Sequence, residues 1–208
     1  MKEIVKITKR RLKNHLLYNK WIYLAVIILI VIVVNFSYIV TRPELPKENR
    51  VNIIMYAGIT DEDILSKWQD EMLVLLPDDQ RAVNILARSS VNAETQSAMV
   101  VRFLAGEDDI IIIANSDVES LANQSAFLPL DEYMDMDKLT SKYSDLNIEN
   151  YKMKIEGSDE EHVYWLPLAF SEGFSEIGFP PDNLSIGIVS NSSNVENAVK
   201  CLEYLIYK

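Results

Sequence analysis

Twenty consecutive residues without a charge, Trp21 to Val40 (WIYLAVIILIVIVVNFSYIV), constrain this chain more than any other stretch. At about 1.5 Å per residue, a helix of that length matches the roughly 30 Å of hydrocarbon in a bilayer. Trp21, Tyr23 and Tyr38 stand near its ends, at the depths where amphipathic rings settle in membranes. The stretch is expected to be one transmembrane helix. Residues 1–20 carry seven basic side chains and one acid, a net of +6, whereas the whole chain carries −11. The remainder is therefore at −17, and this bias in lysine and arginine predicts a cytoplasmic N-terminus with the rest outside. The apolar run is longer than the roughly 7 to 15 residues of a secretory signal core, and no A-x-A site follows it before Thr41. The expectation is an uncleaved signal anchor in the cell membrane: 1–20 a basic cytoplasmic segment, 21–40 the span, 41–50 a linker and 51–208 an extracytoplasmic domain.

Composition narrows the chemistry of that domain. Cys201 is the one cysteine, so no internal disulfide is available on the oxidising side of a membrane. The two histidines, His15 and His162, fall on opposite sides of the apolar stretch, and neither has a cysteine nearby for a metal or thiol pair. The acidic run Asp131, Glu132, Asp135 and Asp137 fails as a calcium loop, because Leu139 and Thr140 stand where a ligand and a glycine are required. A charge of −17 repels phosphates, which excludes a nucleic-acid partner. The reading is a non-enzyme with no cofactor and no metal.

The domain itself reads as repeated strand and helix. VNIIMYA (51–57) is an apolar run ending at Gly58. A helix follows, with Thr60 as its cap, Ile59 and Ile64 as a staple, and Ile64, Leu65, Trp68, Met72, Leu75 and Leu76 inward up to Pro77. RAVNILA (81–87) and a helix from Glu94 to Ala105, stopped by Gly106, form a second unit. DDIIIIA (108–114) lacks polar alternation and so belongs in the centre of a sheet covered on both faces. Ser116 to Glu119 reads as a capping box, and 140–159 as a polar surface excursion. HVYWLPLA (162–169) reads as a strand ended or placed at an edge by Pro167. LSIGIVS (184–190) is the last strand. A final helix opens on Ser193-x-x-Glu196 and buries Val195, Ala198, Val199, Leu202 and Leu205. Successive units of this kind predict an α/β fold, a single open and mostly parallel sheet.

The order of FLAGEDDIIIIANSD (103–117), AFLPLDEY (126–133), VYWLPLA (163–169) and IGIVSNSSNVENAVKCLEYL (186–205) resembles the extracellular solute-binding proteins of ABC importers, in particular the sugar-binding group. That resemblance implies a periplasmic-binding-protein-like fold. Only about twenty residues separate Trp165 from Ile186, where the family carries its second lobe, so the chain resembles the first lobe alone with a membrane anchor. Ligands of open α/β sheets lie at the carboxyl ends of the strands, which selects Tyr56, Ala57 and Gly58, then Ser89 and Ser90, then Asn115, Ser116 and Asp117. Trp165 stands where the family's chain leaves the first lobe, in a position to stack on a sugar. Each of these also has a structural use: Gly58 in a turn, Ser116 as a cap, Trp165 in the core. The resemblance implies a transport-associated module of carbohydrate-importer type with weak or no binding of its own. Its expected partners are the bilayer through 21–40, an ABC permease or other membrane protein, and weakly a carbohydrate. The alternative is a protein-interaction or sensory accessory domain that has lost solute binding.

Overall fold

The computed structural model describes residues 18–41, 45–56, 61–78, 80, 82–88, 93–155, 160–176 and 181–208. It divides into two units, Met1–Glu44 and Leu45–Lys208. The first contains helix α1 (Lys20–Thr41), whose 22 residues are all exposed. At 1.5 Å per residue it is about 33 Å long. Among the described residues it is the one helix long and apolar enough to cross a membrane.

The second unit is built on a five-stranded sheet. Strand β1 (Arg50–Tyr56) leads to helix α2 (Glu62–Leu75), β2 (Ala82–Arg88) to α3 (Ala93–Leu104), and β3 (Ile110–Ala114) directly to α4 (Asn115–Asn123). Helix α5 (Met136–Lys142), the short strands β4 (Lys152–Met153), β5 (His162–Val163) and β6 (Leu166–Pro167), and helix α6 (Glu172–Glu176) precede β7 (Leu184–Ile188) and α7 (Val195–Tyr207). Strand order is β2-β1-β3-β7-β6. β1 pairs in parallel with β2 along all seven residues and with β3 on its other side; β7 pairs antiparallel with both β3 and β6. Four strands thus run one way and β7 alone runs back, which makes the sheet mixed but mostly parallel.

Alternation along each strand supplies two faces. Ile53, Met55, Ile110 and Ile112 point to one core, where Leu65, Trp68 and Met72 of α2 meet Ala198, Cys201, Leu202 and Leu205 of α7. Ile54, Tyr56, Ile111 and Ile113 point to the other, beneath Met99 of α3 and Val118 and Ala122 of α4. Ile110 to Ile113 are at most 1% exposed, as a central strand covered on both faces requires. Gly106, at φ +59°, closes α3 in the left-handed conformation that glycine adopts without strain.

Several local expectations need correction. The cap of α2 is Asp61, whose carboxylate accepts from the backbone N–H of Asp63 (3.0 Å) and Ile64; Thr60 and Ile59 lie outside the described residues. Leu75 is half exposed because it sits in the last turn, past the buried stripe. Neither serine box forms. α4 starts straight from β3 without a side-chain cap, and the N-cap of α7 is Asn194. Asn194 is engaged elsewhere: its amide donates to Gln80 Oε1 (2.9 Å) and Arg50 O (3.2 Å) and its carbonyl accepts from Asn197. The 162–169 run is two short strands in different sheets, β5 pairing with β4 and β6 forming an edge, since Pro167 has no N–H to extend a ladder. The 140–159 segment is no mere excursion, because it sends Leu146 and Ile148 into the first core.

Candidate functional site

Parallel pairing brings the carboxyl ends of β1, β2 and β3 side by side. Tyr56 is level with Arg88, and Ile112 with Met55, so Asn115 follows one residue after the end of the central strand. Tyr56 is 4% exposed, its ring in the second core. Burial raises the pKa of its phenol above the ordinary value, the Asp108 carboxylate adds to this, and Arg102 and Arg88 partly oppose it. The ring is therefore a neutral part of the core.

Asn115 is exposed, yet both ends of its amide are engaged. Its Nδ2 donates to Asp182 O (3.2 Å), and its Oδ1 accepts from the buried Ser185 Oγ (2.7 Å). It ties the end of β3 to the turn before β7. Asp117, in the first turn of α4, lines a small groove of about 130 Å³ with Met99, Val100, Ile113 and Leu121. A second groove of about 260 Å³ shares Met99, Val100 and Leu121 and extends to Phe103, Leu104 and Ala126. The larger groove is mostly apolar, the smaller one mixed, with Ser120 and Gln124 beside Asp117, and Val100, Val101 and Leu104 of α3 are exposed beside them.

Trp165 is not brought to this end. It precedes Leu166, which pairs with Ile186 and so lies level with Ile112. By strand geometry it stands about 10 Å across the sheet from β3 and about 13 Å short of Asn115 along it. It is half-buried against the second core. Gly58 and Ser89, with Ala57 and Ser90, lie outside the described residues. The structure therefore groups Tyr56, Asn115 and Asp117 at one end and sets Trp165 apart.

Two arrangements escaped sequence reasoning. Asp131 accepts from the Val163 N–H (3.1 Å) and faces His162 Nδ1 at 3.0 Å, on the wall of a depression of about 550 Å³ that also holds Asp135, Asp137, Glu149 and Lys152. Asp135 there caps α5. Among the described residues no three His, Cys, Asp or Glu side chains are placed to hold a metal ion. On another surface Tyr207 stacks on Tyr143 (centroids 6.3 Å, planes 12° apart), with Lys142 4.7 Å over the Tyr207 ring and donating to its carbonyl (2.9 Å). Glu71 accepts from both Tyr204 and Lys208, and these hydrogen bonds hold its carboxyl below the ordinary range. The pairs on this surface lie 64 or more positions apart in sequence, so no local pattern signals them.

No family model matches the chain, and neither does any curated protein. Among solved structures, the maltose/maltodextrin-binding domain MalE from Bdellovibrio bacteriovorus, bound to maltotriose, is similar at a TM-score of 0.37 and 14% identity. That similarity covers 57% of this chain and 28% of that one.

Proposed function

We propose that this chain is a membrane-tethered α/β module of the solute-binding type, associated with transport of carbohydrate-importer character, in which the strand-end site has little or no affinity for a free solute. The observation that carries the reading is the state of Asn115. A ligand there must displace Ser185 and Asp182, and each exchanged hydrogen bond returns only about 0.5 to 1.5 kcal/mol net. Tyr56 offers no open ring to stack on, and a one-sided surface must also meet the entropy of association. The sequence resemblance to the sugar-binding group supports the solute-binding ancestry, and α1 supports the tether. Calorimetry of the full chain in detergent with maltotriose is expected to give a dissociation constant no tighter than roughly millimolar, about −4 kcal/mol. Micromolar binding abolished by Asn115→Ala would overturn this and make the chain an autonomous receptor.

The exposed apolar residues Val100, Val101 and Leu104 favour the second reading, an interaction domain that contacts a membrane or extracellular protein. Capture of a permease in a membrane cross-linking experiment supports the transport role. Capture of a sensor or envelope protein supports the interaction role.

A further inference from the structure

The exposed aliphatic side chains of the second unit gather at one end of it. Helices α2 and α3 each lead from the carboxyl end of one parallel strand to the start of the next, so both stop at the amino ends of the strands. There Gln80 Nε2, just past α2, donates to Glu48 O (2.8 Å), and Lys47 Nζ donates to Ala105 O (2.7 Å) and Gly106 O (3.2 Å), just past α3. The segment that enters the domain at Leu45 is thus pinned to both helix ends. Among the described residues from Leu45 onward, seven large hydrophobic side chains are exposed, and the six aliphatic ones share this location. They are Leu45 beside the entry, Val74 and Leu75 in the last turn of α2, and Val100, Val101 and Leu104 in the last two turns of α3. Leu104 is 78% exposed, and so dense a set of aliphatic groups facing water marks a surface that something covers.

We propose that this end of the domain rests on the phospholipid bilayer that α1 crosses, with Leu45, Val101 and Leu104 entering its interfacial layer. The inference rests on the tether in the proposed function and not on its solute-binding part. The length of the linker selects the occupant. α1 ends at Thr41 and Lys47 is fixed to the end of α3, so residues 42–46 join two points six peptide steps apart. Six steps reach about 22 Å at full extension. Of this the headgroup layer takes about 5 to 7 Å, which leaves a gap of about 15 Å. A domain of about 100 residues, with a radius of gyration near 13 Å, is too thick for such a gap. Lipid is already there, and a tether this short keeps its effective concentration at about millimolar or above. Charge at this end agrees. The unit is strongly acidic as a whole, yet here Glu107 is neutralised by Lys47 (3.1 Å) and Arg50 (3.5 Å), and Asp108 by Arg102. The aliphatic side chains therefore meet the headgroups with those carboxylates already paired.

The test uses the full chain reconstituted in phosphatidylcholine vesicles that contain nitroxide-bearing lipid. A maleimide fluorophore is placed at this end by Leu104→Cys and at the opposite end of the sheet by Asn183→Cys, next to the pairing of Leu184 with Ala114. Cys201 is 1% exposed and stays unlabelled in the folded chain. The nitroxide is expected to quench the label at 104 at least about twice as strongly as the label at 183, since only a group within about 5 to 10 Å of the headgroup boundary meets it. Adding Leu45→Gln and Val101→Gln should remove about half or more of the quenching at 104 by weakening the apolar contact. Both residues are exposed, so circular dichroism should match that of the parent. Equal quenching at 104 and 183, in a chain that alkaline washing leaves in the vesicles, overturns this inference alone, and so does quenching at 104 that the glutamines leave unchanged. A chain that alkali removes from the vesicles overturns the tether and the inference with it. In native membranes, a photo-cross-linker at 104 that joins the chain to lipid supports the contact, and one that joins it to another protein overturns it.

Discussion

Asp109 is the buried charge on which the start of the central strand turns. Its carboxylate is 6% exposed and accepts from Ser192 Oγ (2.6 Å) and the Asn52 N–H (2.8 Å). Burial outweighs those donors and raises its pKa, with Asp108 contributing and Arg50 opposing. A carboxyl whose folded value lies above its unfolded value, about 3.9, binds its proton more tightly when folded. Its contribution is most favourable below the unfolded value and is lost as pH rises through the folded one. Asp109→Asn removes that dependence, though it also sets an amide donor against one of the two donors. Urea denaturation should therefore find the variant weakest relative to wild type near pH 4 and gaining on it toward pH 7; parallel curves would show that Asp109 does not titrate in this window. At this scale the sequence was a partial guide. The strand-end rule placed Tyr56 and Asn115 where parallel strands finish, but the partners that occupy Asn115 lie 67 and 70 residues away. That makes a residue's position readable while its availability is not.

At the scale of elements, β7 makes the tightest demand. A β-carbon on Gly187 would stand 2.8 Å from Phe127 Cδ1 and 3.0 Å from the Tyr164 carbonyl oxygen, so the strand passes beneath a ring and beside a backbone with no room to spare. Gly187→Ala should cost about 1 to 3 kcal/mol by overpacking. Phe127→Ala in the same chain should recover only part of the difference between singly and doubly substituted proteins, because the carbonyl remains. A Gly187→Ala chain that unfolds at the wild-type urea midpoint would remove this constraint. The strand and helix units were legible because long apolar runs and helical stripes report burial directly, as Ile110 to Ile113 and the α7 face illustrate. Caps were not, since a serine box competes with tertiary bonds such as those of Asn194. The 162–169 run misled because four well-matched strand formers carry no sign of which sheet each joins.

For the whole molecule, the unit from Leu45 to Lys208 and the apolar helix α1 have separable consequences. With an uncleaved anchor and the basic end inside, Cys201 reports on both. It is 1% exposed, and burial pushes its thiol up to about 12, so it is unreactive while the domain is folded. An impermeant maleimide should label intact cells only after mild unfolding. Labelling that waits until the membrane is opened would reverse the orientation, and a mature N-terminus beyond residue 40 would remove the anchor. The return of the chain through the sheet has a further effect on timing. β3 is enclosed only when β7 lies beside it, Trp68 meets Phe174 edge to face at 5.3 Å, and Asn194 closes onto Arg50 and Gln80. β3 and β6 thus wait for residues 184–208, about the last eighth of the chain, before β7 can pair with them. The sheet is expected to complete its folding only after β7 and α7 have been made. A chain released before α7 is made is a substrate for proteolysis rather than a smaller working version.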